Sequence, residues 1–247
     1  MKWNVSVAML LVLVLCSGLV SAQSNTSITI GGNYWRGAIK AESITGDNTE
    51  NKASNLFGPF VNVRFDKISL GGSWFFGNWD FSGDNYKYKI KRNDLNLSLG
   101  YSIGSNVTLF GAYKILKLTE EFGSEVLDVD AQENVIWNVP YYGGGLSLTY
   151  PFPNSQLFLF GSAAYLTHAK DKLEISQYSE WTGEYETYEQ KVDDNITSFT
   201  VGLGFRLNSG LSILGGFRAD NHKSKDNESG NNLKISGLMA TLAYTLR

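Results

Sequence analysis

Between residues 91 and 117 the chain alternates with period two. Leu95, Leu97, Leu99, Tyr101 and Ile103 interleave with Asp94, Asn96, Ser98, Gly100 and Ser102. A tight break at Gly104-Ser105-Asn106 follows, and Val107, Leu109, Tyr113 and Ile115 then resume the alternation. Successive side chains of a strand point to opposite faces, so this stretch reads as an antiparallel hairpin with one apolar and one small, polar face. The same pattern recurs in about ten segments: 27–42, 56–65, 68–81, 91–103, 107–121, 135–150, 156–172, 196–207, 211–221 and 232–247. Each is long enough to cross a bilayer when tilted. Segment 156–172 is apolar on both faces.

The connections constrain the fold further, because they alternate short and long. The short ones are Asp66-Lys67, 104–106, 151–155 and 208–210. The long ones are 43–55, 82–90, 122–134, 173–195 and 222–231. A soluble sandwich has no physical reason to keep such an asymmetry, whereas a membrane barrel with short turns at one end and longer loops at the other does. Aromatic residues fall at both ends of the segments. Phe65, Tyr101, Tyr150, Phe205 and Tyr244 lie near the short turns, and Tyr34, Trp74, Phe76, Tyr142 and Phe217 toward the loops. That matches two interfacial girdles. Twenty-six glycines, four prolines and 13% aromatic residues agree with an all-β chain.

Residues 1–22 read as a secretory signal peptide. Lys2 supplies the basic start, 5–15 the apolar core, and Val20-Ser21-Ala22 the small-residue cleavage site. The apolar run is short for a membrane anchor. Cleavage would remove Cys16, the only cysteine, so the exported part is expected to hold no disulfide. The formal charge of −3 argues against a nucleic-acid partner. No later stretch is apolar enough for a transmembrane helix.

On these features the chain resembles the outer-membrane β-barrel proteins of Gram-negative bacteria, over residues 23–247. The resemblance implies an all-β fold, a closed antiparallel up-and-down barrel of about ten strands in which 27–42 pairs with 232–247. It implies both termini on the periplasmic side, and outer-membrane lipid and lipopolysaccharide as partners. A monomer without cofactor or metal is expected. Members of this group often end on an aromatic residue; here the last strand keeps its alternation but ends in Arg247.

The lumen of ten strands is narrow. Arg64, Arg92, Asp94, Arg206, Arg218 and Asp220 are expected to face it, either as a plug of paired charges or around a small polar pore. Ten-stranded barrels include the omptin proteases, which use a pair of aspartates and an Asp-x-His motif at the outer rim. Asp128-Val-Asp130 and Asp220-Asn-His222 look similar, but fall in the third and fifth long loops rather than the second and fourth. His168 lies in a strand and offers no better start for a lipid hydrolase. The expectation is therefore no enzyme, but a structural or surface-interaction barrel, with a narrow channel for small solutes as the alternative.

Two contact sites are expected. The longest loop, 173–195, carries a turn signal at Thr182-Gly183 and reads as a hairpin extending the seventh and eighth strands. Tyr178, Trp181, Glu184, Tyr185, Glu186 and Tyr188 would form its contact surface. Lys87, Lys89 and Lys91 share parity with Leu95, Leu97 and Leu99. They would point outward just above the apolar band, toward lipid phosphates, if no bulge reverses the register.

Overall fold

A computed structural model describes residues 26–42, 52–83, 86–124, 129–168, 172–179, 183–191, 194–207, 209–224 and 232–247. The expected signal peptide lies outside them. The described chain is a single antiparallel sheet of twelve strands: β1 (Thr26–Glu42), β2 (Lys52–Phe65), β3 (Ile68–Gly83), β4 (Tyr86–Ile103), β5 (Val107–Ser124), β6 (Val129–Pro151), β7 (Leu157–His168), β8 (Lys172–Ser179), β9 (Glu184–Lys191), β10 (Asp194–Arg206), β11 (Leu211–Ser224) and β12 (Asn232–Leu246).

Ten of these close into a barrel, in the cyclic order β1 to β7 followed by β10, β11 and β12. The ring closes where β1 pairs with β12, from Ile28 opposite Leu246 to Glu42 opposite Asn232. Closure leaves no barrel edge, so each of the ten barrel strands has a neighbour on both sides.

The turns at one end are tight, and backbone geometry explains their residues. Asp66, Gly104, Asn154 and Gly210 all have positive φ (50°, 69°, 55° and 87°), a region that Gly, Asn and Asp adopt most readily. The other end departs from the expected boundaries. Strands β2, β4 and β6 begin four to six residues earlier than their alternation indicates, and β3 and β4 stay paired up to Gly83 opposite Tyr86. In β4 the alternation continues there with its apolar set on the other parity: Tyr86, Tyr88 and Ile90 interleave with Lys87, Lys89 and Lys91, whereas Leu95, Leu97 and Leu99 follow the parity of the lysines. The connection expected at 82–90 is thus mostly paired strand. Conversely, β7 stops at His168 rather than 172.

Outward side chains form a continuous apolar band. Leu70, Leu97, Leu99, Leu146, Leu148, Leu159, Leu203, Ile213, Leu238 and Leu242 are all exposed. Rings edge it on both sides: Tyr101, Tyr150, Phe205 and Tyr244 toward the tight turns; Phe57, Phe76, Tyr142 and Phe217 toward the loops. Several touch across strands, as do Tyr34 and Phe57 with centroids 5.4 Å apart. An exposed apolar belt of this extent suits lipid and not water.

Candidate functional site

The lumen is built differently in its two halves. Near the tight turns, inward phenylalanine rings lie over glycines on neighbouring strands. Phe60 of β2 covers Gly31 of β1, and Phe110 of β5 covers Gly145 of β6. A Cβ on either glycine would stand 2.6 and 2.7 Å from the ring. Phe158 and Phe160 of β7 cover Gly204 and Gly202 of β10 in the same way. These rings are why 156–172 looks apolar on both faces. Beside them lies a cavity of about 280 Å³ lined by Asn33, Asn62, Ser73, Asn96 and Ser98, with Phe75 and Arg218 among its walls. Thr241 Oγ1 donates to Asn33 Oδ1 at 2.6 Å nearby.

Toward the loops, buried side chains pack inside the lumen. Trp35, Ile39, Leu56, Phe75, Trp79 and Ile235 pack together on one side, joined by Ile90. Leu116, Val139, Tyr141, Leu166 and Ile196 pack on the other. An ionic network accompanies them. Arg92 on β4 donates through Nε and Nη2 to Asp94 (2.6–3.0 Å) and through Nη2 to Asp220 Oδ2 on β11 (2.9 Å). Lys114 Nζ on β5 donates to Asp94 Oδ2 at 2.7 Å. Arg218 donates twice to Asp220 at 3.2 Å. Both guanidinium groups lie over the Trp35 ring, at 5.6 and 4.8 Å. Arg92, Asp94, Lys114 and Asp220 are each at most 2% exposed.

The geometry of one bond matters most. In the ring of ten, β4 and β11 are five places apart, which is diametrically opposite. The Arg92–Asp220 contact therefore crosses the whole lumen.

A second polar group adjoins the first along β11. The Asp194 carboxylate accepts from Tyr141 Oη at 3.0 and 3.1 Å, contacts His168 Nε2, and lies 3.7 Å from His222 Nδ1. Asp94 and Asp220 lie among Arg92, Lys114 and Arg218, so each of these buried carboxylates has cationic partners. Such pairing is the condition under which buried ions are tolerated.

The expected lumen charges thus separate. Arg92, Asp94, Arg218 and Asp220 meet in the network. Arg64 and Arg206 have inward parity but lie exposed at the tight-turn mouth, where Arg64 Nε donates to the Asp66 carbonyl and Arg206 sits 5.3 Å from the Phe158 ring centroid. The placement of Asp220 and His222 in a long loop is corrected: both are buried in β11, because that strand runs on to Ser224. The side chains of Asp128 and Asp130 lie outside the described residues. Lys114, Tyr141, Asp194 and His168 were not legible as lumen groups. Their one signal is inward parity, which Lys114 shares with Ala112 and Leu116. Among the described residues, no group of three or more His, Cys, Asp or Glu is placed to hold a metal.

The lysines of β4 keep their register, with no bulge between Phe75 opposite Asp94 and Asp80 opposite Lys89. Lys89 and Lys91 point outward with Leu95, while Ile90 packs inward. Both lysines meet acids: Lys91 contacts Glu121, and Lys89 lies 3.5 Å from Asp80 and 4.0 Å from Glu121. The side chain of Lys87 lies outside the described residues. The expected hairpin exists as β8 and β9, paired from Lys172 opposite Lys191 to Ser179 opposite Glu184. Gly183 takes φ 69° at its turn. Strand β8 continues upward from β7 and keeps contact with β6 through Val135–Gln177 and Ile136–Ser176. Glu184 and Glu186 are exposed on it. Trp181 and the side chains of Tyr178, Tyr185 and Tyr188 lie outside the described residues.

No family profile and no curated protein sequence matches the chain. Solved structures do. The outer membrane protease OmpT from Escherichia coli superposes with a TM-score of 0.55 at 14% identity, over 91% of this chain and 98% of that one. The translocator domain of autotransporter NalP from Neisseria meningitidis gives 0.47 at 9% identity, over 97% and 96%. Ail, the attachment invasion locus protein of Yersinia pestis, gives 0.39 at 13%, over 90% and 100%. At such identities the likeness concerns fold alone. Together with the closed ten-strand ring and its apolar belt, the OmpT superposition establishes that this chain has the fold of an outer-membrane β-barrel.

Proposed function

We propose that the protein is a non-enzymatic, non-conducting outer-membrane barrel that presents the β8–β9 hairpin as a contact surface outside the cell, with both termini in the periplasm. The observation that carries this reading is the Arg92–Asp220 contact between opposite walls. A solute path needs a continuous polar opening, and here buried ion pairs and two apolar clusters occupy the cross-section. The tight-turn and long-connection asymmetry supports the orientation.

The Asp194 group supports a structural role rather than catalysis. His168 and His222 side chains are 6% and 5% exposed, so a polymeric substrate has no direct access to them. The hairpin supplies what a contact surface needs: regular backbone, held to the upper part of β6, that exposes Glu184 and Glu186.

Planar-bilayer recording of the refolded protein tests the reading. Silence, or brief events without a steady level, is expected. A stable ohmic open state would overturn it in favour of the narrow channel.

A further inference from the structure

Outward-facing cations follow the loop-side border of the apolar belt: Lys117 on β5 is exposed as a single charge between Asn93 and Asn138, and the others fall into two groups of different character. On β4, Lys89 and Lys91 are matched by Asp80 and Glu121. On the seam of β1, β12 and β11, Arg36, Lys234 and Lys223 are exposed, and none has an ion-pair partner among the described residues. Their outward neighbours Ala38, Ser236, Ala219 and Asn221 bring no acid; Glu42, two residues beyond Lys40 on the same face of β1, is the one acid of the seam, and its side chain lies outside the described residues. Lys234 also sits directly opposite Lys40, which has a contact of its own. Like charges placed directly across a sheet are destabilising, so the seam is a surface that gains from an anion laid over it.

The depth of the three cations says which anion. Arg36 is the cross-strand partner of Leu238, the last strongly exposed aliphatic residue of β12 on that side. Lys234 lies four residues further, about 13 Å along the strand and about 10 Å along the membrane normal at the usual barrel tilt. Lys223 lies two residues beyond Asn221, the partner of Lys234. The charges are therefore graded from the apolar border upward. A glycerophospholipid offers phosphate in one plane. A glycolipid phosphorylated on its acylated sugars and again on its core sugars offers phosphate at several depths.

We propose that the β1–β12–β11 seam binds the phosphorylated head group of lipopolysaccharide. Arg36 takes the phosphate nearest the acyl chains, a task its planar fork suits. Lys234 and Lys223 take phosphates higher in the core, and Leu238 and Leu242 lie against the acyl chains below. This inference rests on the orientation proposed above.

The test compares the two cation groups. Lipopolysaccharide retained by detergent-purified protein is measured by native mass spectrometry for wild type, for Arg36→Gln/Lys223→Gln/Lys234→Gln, and for Lys89→Gln/Lys91→Gln. Heat-modifiable gel migration confirms folding of each. The seam variant should lose about tenfold or more of the retained glycolipid at low salt, whereas the β4 variant should hold it. Wild type refolded with phosphatidylglycerol should retain that lipid no better than the seam variant does. Equal retention by both variants, or phosphatidylglycerol held as firmly as lipopolysaccharide, would overturn the proposal. Orientation is read separately, by labelling Glu186→Cys on intact cells with a membrane-impermeant maleimide. Labelling supports it. An unlabelled cysteine would remove the orientation, and with it the lipopolysaccharide assignment, even if retention by purified protein still fell.

Discussion

The two halves of the lumen solve one problem in different ways. Near the tight turns the interior is filled by shape: phenylalanine rings seated on glycines, with a small polar cavity left beside them. Toward the loops it is filled by charge, with ion pairs between clusters of aromatic and aliphatic side chains. A shape-filled half loses stability when volume is added. A charge-filled half loses it when one partner is removed. The difference teaches that the same run of small and polar inward residues can mean an opening, a slot for a ring, or a seat for an ion.

The largest effect is expected in the charged half. Asp220→Ala leaves the buried Arg92 and the half-buried Arg218 without that carboxylate, and should cost about 3–5 kcal/mol in urea unfolding of the refolded barrel. The double variant Arg92→Met/Asp220→Leu should cost less than Asp220→Ala alone, because it leaves only Arg218 without its carboxylate while Asp94 keeps Lys114. A double variant worse than the single one would show that shape governs this half too.

Next comes the other half. Gly204→Ala drives a methyl group into the Phe158 ring and should destabilise by about 1–3 kcal/mol. Phe158→Leu, added to it, should restore part of the loss. If the two changes are simply additive, the ring and the glycine are not the coupled unit described.

Conductance separates the halves as seals. Arg92→Ser/Asp220→Ser should give measurable open events in a planar bilayer, while Phe158→Ala/Phe160→Ala should stay silent. The reverse result would move the seal to the tight-turn half. The smallest stability effects come from polar details and from outside the barrel. Thr241→Val, which removes the bond to Asn33, should cost about 1 kcal/mol. Deleting residues 179–187 should leave barrel unfolding within about 0.5 kcal/mol of wild type, yet abolish any contact made through the hairpin.

The barrel was legible in the sequence because lipid demands strict outward alternation. Leu95 to Ile103 show it without a break, and closure of β1 on β12 followed from strand count and connection lengths. The hairpin was legible from Thr182-Gly183. The lumen was legible only in part. Arg92 and Asp220 stand out as charges of inward parity, but nothing local says that residues 128 positions apart will meet across the ring. Trp35 and Leu56 are inward and apolar on the face expected to be polar. Inward alternation carries no lipid constraint, so its residues answer to partners on distant strands. Lys114 and His168 were hidden for the same reason.

The Arg92–Asp220 contact has a mechanical consequence. Ladder bonds fix the perimeter of a barrel but leave its cross-section free to flatten into an ellipse under lateral pressure. A bond along one diameter resists change in that diameter, and with the perimeter fixed it holds the perpendicular one as well. It is also a brace that goes in last: β4 and β11 face each other only once β1 has met β12, so the strut can form only in a ring that has already closed.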